Sequence, residues 1–195
     1  MDTLSEKCDL IALNEEIIKL FSEFKCSNED LDDFFANESY DYQKQLIGKT
    51  YCFVLKESPN VIVCAFTVSN AGMSVRNLPN SRKKKIIKNI PCRKHFNNYP
   101  AVLIGRIGVS ESYKKQNIGT ELLFFIKSWF ISPDNKTSCR FIAVDAYNEL
   151  GVLKFYEKNG FKYLFSSLEQ EREEMRNNDL NTRYMYFDLI ELFGL

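Results

Sequence analysis

The chain has 195 residues, 45% hydrophobic and 14% aromatic, enough to bury a core without metal or disulfide support. It carries 26 basic and 26 acidic side chains, so the net charge is zero, and the hydrophobic fraction is ordinary for a globular protein. No run is apolar and long enough to span a bilayer, and MDTLSEKCDL lacks the basic-then-apolar signal pattern, so a cytoplasmic protein with no membrane partner is expected.

The charge is unevenly spread. Residues 1–41 hold 12 acids and 3 bases, whereas residues 58–110 hold 9 bases and no acid. Such asymmetry marks either a polyanion site or a solvated basic loop. The six cysteines form no CxxC pair and stand with one histidine, which argues for reduced, buried thiols and against a metal site.

In chain order, the apolar spacing of LNEEIIKLFSEF predicts a helix from Leu13 to Phe24. In CSNEDLDDFFANES, Ser27 or Asn28 caps a second short helix with an acidic first turn. TYCFVLKES and NVIVCAFTVS, split by Ser58-Pro59-Asn60, predict a hairpin. The basic segment 76–100 holds a short helix in SRKKKIIKNI and is punctuated by Pro79, Pro91 and Pro100. AVLIGRIGVS, 101–110, predicts a central strand in which Gly105 and Gly108 mark a bulge or a close backbone approach. A polar loop, Ser110 to Asn117, leads into a helix that opens near Ile118 and ends before Pro133. CRFIAVDAY predicts a buried strand, and LGVLKFYEKNGF a helix closed by a left-handed Gly160. FKYLF predicts a strand, EQEREEMRNN a polar helical insertion, and TRYMYFDLIEL the last strand. The order predicts an α/β (α+β) fold: a mixed, mostly antiparallel sheet with a central parallel pair, flanked by helices. The strand–helix–strand unit 101–147 is expected to be right-handed.

The junction ESYKKQNIGTELLFF, 111–125, carries the first chemical signal. Unpaired amides and the positive dipole end of a helix N-terminus suit a phosphate. Gly119 lets the backbone come close, and Lys114 and Lys115 add charge. Any strand-to-helix junction shares these traits, so the residues alone leave cradle and plain loop both open.

GRIGVSESYKKQNIGTELL resembles motif A of the GNAT N-acetyltransferases: an apolar strand, a Val, a Tyr, then Gln/Arg-x-x-Gly-x-Gly/Ala opening a helix. Tyr113 falls on the Tyr, Lys114 on the Gln/Arg, Asn117 on the first glycine and Gly119 on the second. Lys114 and Asn117 thus depart from the pattern, though Asn tolerates positive φ well. NELGVLKFYEKNGF resembles motif B of the same family. A narrower resemblance runs through FKCSNEDLDDFF, YQKQLIGKTYCFV, YPAVLIGRIGV and MYFDL: these are similar to the GNAT toxins of bacterial toxin–antitoxin modules, which acetylate the α-amino group of aminoacyl-tRNA. Ser27 stands where those toxins carry glycine.

The resemblance implies one GNAT domain over residues 1–195, with a basic insert at about 76–100 and a polar insert at about 167–180, and a splayed parallel strand pair. It implies acetyl-CoA as cosubstrate, with no metal. The pyrophosphate is expected on Lys114, Lys115, Gln116, Asn117, Ile118, Gly119 and Thr120, and the pantetheine arm along Ile107, Gly108 and Val109 and against Asn148. The Val109 amide is expected to polarise the thioester carbonyl, and Tyr156 to protonate the leaving thiolate. No cysteine lies in the motifs, so direct attack in a ternary complex is expected. Glu111 and Glu149 are the acids near the motifs, and neither is a convincing base.

Arg82, Lys83, Lys84, Lys85, Lys88, Arg93 and Lys94 are the expected contacts to RNA phosphates. Two alternatives stand beside aminoacyl-tRNA: a small or protein amine as acceptor, and a non-catalytic CoA- or RNA-binding module. A ribbon–helix–helix antitoxin and a second copy of the chain are the further partners that the resemblance suggests.

Overall fold

The computed structural model describes residues 3–91 and 96–193. Its strands are β1 (Cys8–Ala12), β2 (Lys49–Leu55), β3 (Ile62–Ser74), β4 (Asn98–Val109), β5 (Phe141–Tyr147), β6 (Lys162–Tyr163) and β7 (Thr182–Asp188). They form one sheet in the order β1-β2-β3-β4-β5-β7-β6. β4 and β5 are the parallel pair, and β1–β2, β2–β3, β5–β7 and β6–β7 pair antiparallel. The helices are α1 (Thr3–Lys7), α2 (Ile17–Leu20), α3 (Glu29–Asp33), α4 (Ser39–Lys44), α5 (Asn80–Ile86), α6 (Ile118–Ile131), α7 (Leu150–Lys158) and α8 (Leu168–Met175). This is the mixed fold that the element order predicts. The chain divides into two compact units, Met1–Ser69 with Ile104–Ser132 and Asn70–Leu103 with Pro133–Leu195.

In the first unit, the predicted helix 13–24 is largely absent. Leu13 instead continues from β1, its amide bonded to the Thr50 carbonyl at 2.9 Å. Asn14 Oδ1 accepts from Glu16 and Ile17 amides at 2.9 Å and starts the four-residue α2. Tighter i→i+3 bonds then carry the chain through Phe21, Glu23 and Phe24. The helical spacing therefore reports a wound segment of which only the single turn α2 is α-helical. The cap of α3 is Asn28, whose side chain accepts from the Leu31 amide at 3.0 Å, while Ser27 sits in the left-handed region at φ 59. α3 runs into a π turn, Phe34–Glu38.

These short elements cover one sheet face through Phe21, Phe24 and Phe35, whose ring centroids lie 5.4–5.7 Å apart. Each ring buried this way stabilises by about 1.5–3 kcal/mol. On β2 and β3, Phe53, Tyr51 and Phe66 meet Phe125 and Trp129 of α6, with closest centroids 4.9 and 5.0 Å apart. The hairpin is as predicted, with a register shift between Phe53 and Val54.

Val75 N–H bonds to Asn97 O and Ser110 N–H to Val63 O, so β4 is one residue longer than β3 between these two rungs. The surplus residue makes a bulge between them. At Gly108 an added Cβ would lie 3.2 Å from Cys26 Sγ and 3.3 Å from the Phe35 ring, so the backbone here packs closely on both.

In the second unit, β5 and β7 pair along their full length, and the Arg140 guanidinium holds the Asp188 carboxylate at 2.5 and 3.0 Å. α7 ends with Gly160 at φ 81, the left-handed C-terminal glycine that the sequence predicts. FKYLF contributes only two paired residues, Lys162 and Tyr163. The polar insertion is the helix α8, opened by Ser167 accepting from the Gln170 amide at 3.2 Å. It is anchored through Glu171, 1% exposed, which accepts from Arg183 Nε and from the Tyr184 amide at 2.8 Å.

Removing one partner of such a buried pair strands the other charge. Glu171→Ala should destabilise the protein by about 3–5 kcal/mol in urea unfolding. A loss below about 0.5 kcal/mol would show that α8 is not held by this pair.

Candidate functional site

The junction between β4 and α6 is shaped by two residues that L-amino acids seldom allow. Lys115 has φ 61 and Asn117 φ 66, both left-handed. Asn117 is the N-cap of α6 and makes no side-chain cap bond, so its backbone, not its amide group, is what the turn uses. A positive φ here is what glycine supplies in the family pattern. Asparagine is the substitute that tolerates it best.

The turn decides which amides remain available. Lys114 N–H is committed to Glu111 O at 3.3 Å, and Thr120 N–H to Asn117 O at 3.0 Å. The amides of Lys115, Gln116, Asn117, Ile118 and Gly119 have no acceptor among the described residues. The expected cradle therefore narrows to 115–119 for its backbone donors, with the exposed Lys114 and Lys115 side chains beside it. Helix dipole, open amides and two ammonium groups fit a pyrophosphate.

Upstream, the Ser110 amide is spent on Val63 of β3. Alternation along a strand turns the Val109 amide to the opposite edge. Ile107 and Val109 are half-buried, and Gly108 is buried against Cys26 and Phe35. Glu111 is exposed and accepts from the Ser27 hydroxyl at 2.5 Å, so it is already engaged.

The second unit carries Asn148 and Tyr156. The Asn148 amide N–H bonds to Asn181 O at 2.8 Å, and its Nδ2 donates to Leu180 O at 2.9 Å. One of its side-chain donors thus fixes the approach to β7. Its Oδ1 accepts from no described residue. Tyr156 is buried on α7 with its ring edge-on to Phe155 and Phe161, at 5.3 Å from each. Burial pushes its phenol well above the ordinary tyrosine value, so it keeps its proton through the neutral range. Glu149 is exposed ahead of α7.

Burial also raises Cys26 and Cys52 to about 12 and Cys139 to about 11, and Cys64 well above its usual value. Burial thus holds these thiols protonated at neutral pH, and a protonated thiol is a poor nucleophile for taking up an acetyl group.

The basic segment is less uniform than its sequence. Arg82 donates from Nε to Leu164 O at 3.0 Å and from Nη2 to Tyr163 O, so it holds α5 to the exit of β6. Lys83 donates to Asn97 Oδ1. Lys84, Lys85 and Lys88 are exposed. Arg93 and Lys94 lie outside the described residues.

Two charged groups escaped the sequence reading. Asp145 of β5 is exposed and stands opposite Tyr184 in register. Arg106 lies on β4 over the Phe34 ring. Each is a lone charge in an apolar strand, and that was the available signal.

A family profile, the acetyltransferase (GNAT) family, matches residues 15–161. No curated protein matches the sequence significantly. Among solved structures, AtaT complexed with acetyl-methionyl-tRNAfMet matches with TM-score 0.68 and 18% identity, over 96% of this chain and 99% of that one. A tyrosine-to-phenylalanine mutant of KacT matches with TM-score 0.68 and 16% identity, over 97% and 99%. A tyrosine-to-phenylalanine mutant of the AtaT toxin, bound to the C-terminus of the antitoxin AtaR and acetyl-CoA, matches with TM-score 0.64 and 15% identity, over 97% and 100%. At these identities the likeness is one of fold.

The left-handed turn sets a test. Asn117→Gly should leave stability within about 1 kcal/mol, whereas Asn117→Val, β-branched at positive φ, should cost about 1–3 kcal/mol. Thermal unfolding with and without added CoA checks both, and a Val variant as stable as wild type would contradict the strained turn.

Proposed function

The chain belongs to the acetyltransferase (GNAT) family, and from that premise we propose that it acetylates the α-amino group of aminoacyl-tRNA. Acetyl-CoA is the donor. The observation that carries the choice of acceptor is the likeness over nearly the whole chain to a toxin complexed with acetyl-methionyl-tRNAfMet. Residues 1–195 act in this proposal as one acetyltransferase domain, with α5 and α8 as its basic and polar inserts.

The roles follow from the chemistry. The amides of 115–119, with Lys114 and Lys115, bind the donor's pyrophosphate. Ile107, Gly108 and Val109 offer strand edge to its pantetheine amides, and Asn148 keeps an Oδ1 acceptor for the same arm. The Val109 amide stabilises the charge that develops on the carbonyl oxygen, an interaction worth about 3 kcal/mol. The amine attacks directly, since the described thiols are protonated. Tyr156, held protonated by burial, gives its proton to the departing thiolate.

The acceptor suits a site without a strong base. An α-amine titrates at about 7.7–8.0 against about 10.4 for lysine, so much of it is neutral near pH 8 and water can take its proton. Lys84, Lys85 and Lys88 contact tRNA phosphates, together with Lys83 if it exchanges Asn97 for a phosphate, and Arg93 and Lys94 join them. Arg82 keeps its structural role. An antitoxin of the ribbon–helix–helix kind and self-association complete the proposed partners.

Tyr156→Phe should lower kcat about a hundredfold or more while leaving acetyl-CoA affinity nearly unchanged. Wild-type turnover should rise with amine deprotonation and show no falling limb below pH about 10, because Tyr156 is pushed above its free value. Normal turnover in the Phe variant removes Tyr156 from the mechanism.

If tRNA phosphates are bound, log KM should rise with log salt concentration. The Lys84→Glu/Lys85→Glu pair should lower that slope by about 1.5. Acetylation of free amines or of protein, with charged tRNA ignored and no salt dependence, would favour the small-amine or protein-amine reading instead.

A further inference from the structure

Arg106 is the one charged side chain in the apolar strand segment AVLIGRIGV. Its guanidinium lies 4.8 Å from the centroid of the Phe34 ring, and its Nη1 donates to the Gly105 carbonyl at 2.9 Å. Its Nε is buried and has no hydrogen-bond partner. It forms no ion pair with any carboxylate among the described residues. Arg172 Nε is likewise buried without a partner, whereas the half-buried Arg140 holds Asp188 and Arg183 holds Glu171.

A guanidinium offers Nε and Nη2 along one edge, a planar fork that fits two oxygens of a phosphate or carboxylate. In Arg106 the contact to Gly105 spends Nη1 and leaves that edge without an acceptor. A buried donor left unmade destabilises the fold, so a retained one calls for an explanation. The aromatic ring beneath and the carbonyl at one corner fix the plane of the fork. The fork lies on a strand whose next residues, Ile107 to Val109, are assigned above to the donor's reactive end.

Two substrates bring phosphates. Those of the donor already have the 115–119 amides and two lysines. We propose that Arg106 is a positioning residue that grips the phosphodiester next to the 3′-terminal nucleoside of the acceptor, which sets the α-amine for attack. This rests on the aminoacyl-tRNA reading above. Phe34, Gly105 and Arg106 all belong to the first compact unit.

The first test is binding without turnover. Cytidylyl-adenosine, which carries the one phosphodiester, is titrated into 15N-labelled wild-type protein while the arginine Nε–H signals are followed. The Arg106 signal, identified by its loss in Arg106→Lys, should shift saturably, and adenosine alone should not move it. No shift with the dinucleotide overturns the grip, whatever the enzyme acetylates.

The second test is kinetic. Arg106→Lys and Arg106→Gln should raise KM about 10–100-fold for aminoacyl-cytidylyl-adenosine but not for aminoacyl-adenosine, which lacks the phosphodiester. Their affinity for acetyl-CoA and their unfolding temperature should stay near wild type. An equal penalty on both acceptors, or weakened acetyl-CoA binding with an unchanged acceptor KM, overturns the assignment to the acceptor phosphate. Wild-type failure on every aminoacyl acceptor, with the dinucleotide still shifting the signal, defeats the aminoacyl-tRNA reading but not the anion grip.

Discussion

The left-handed backbone between β4 and α6 is the constraint on which the rest depends. Without positive φ at Lys115 and Asn117, the chain leaving Val109 could not reverse quickly enough to present successive amides in one place. The same turn fixes the start of α6, whose Phe125 and Trp129 then lock onto the hairpin. A local conformational cost is thus repaid by helix packing, and the open amides are what remains for a ligand.

Much of this was legible from residue pattern, and the failures have causes. The hairpin, the buried strand at 141–147, α6, α7 and its closing glycine all follow from periodicity and punctuation. The positive φ at Asn117 was legible because an asparagine stands in a glycine's place, and the Ser27 backbone behaves the same way. β1 was not legible: five residues abut a helical apolar spacing, and only pairing with β2 makes them a strand. The helix at 13–24 failed because Asn14 caps early and the bonds tighten to i→i+3, choices that apolar spacing does not record.

The charged groups divide by what they touch. Arg82, Arg140 and Arg183 stand in basic or mixed sequence, yet each is consumed by the fold, on carbonyls or on carboxylates. Sequence cannot separate them from Lys84 and Lys85, which face solvent, because the partner in every case is far along the chain. Arg106 is the inverse: placed as if for the core, but left with an unpaired buried donor. Asn148 is intermediate, with one donor tied to Leu180 and an acceptor to spare. The candidate site was therefore legible as a set of positions, while the commitments of its individual atoms required the fold.

The most direct measurement of the central claim is mass spectrometry of charged tRNA after incubation with purified protein and acetyl-CoA. The account predicts an added acetyl group on the α-amine of the esterified amino acid, formed in step with free CoA. Release of CoA with unmodified aminoacyl ester, while an added small amine or protein becomes acetylated, would contradict it.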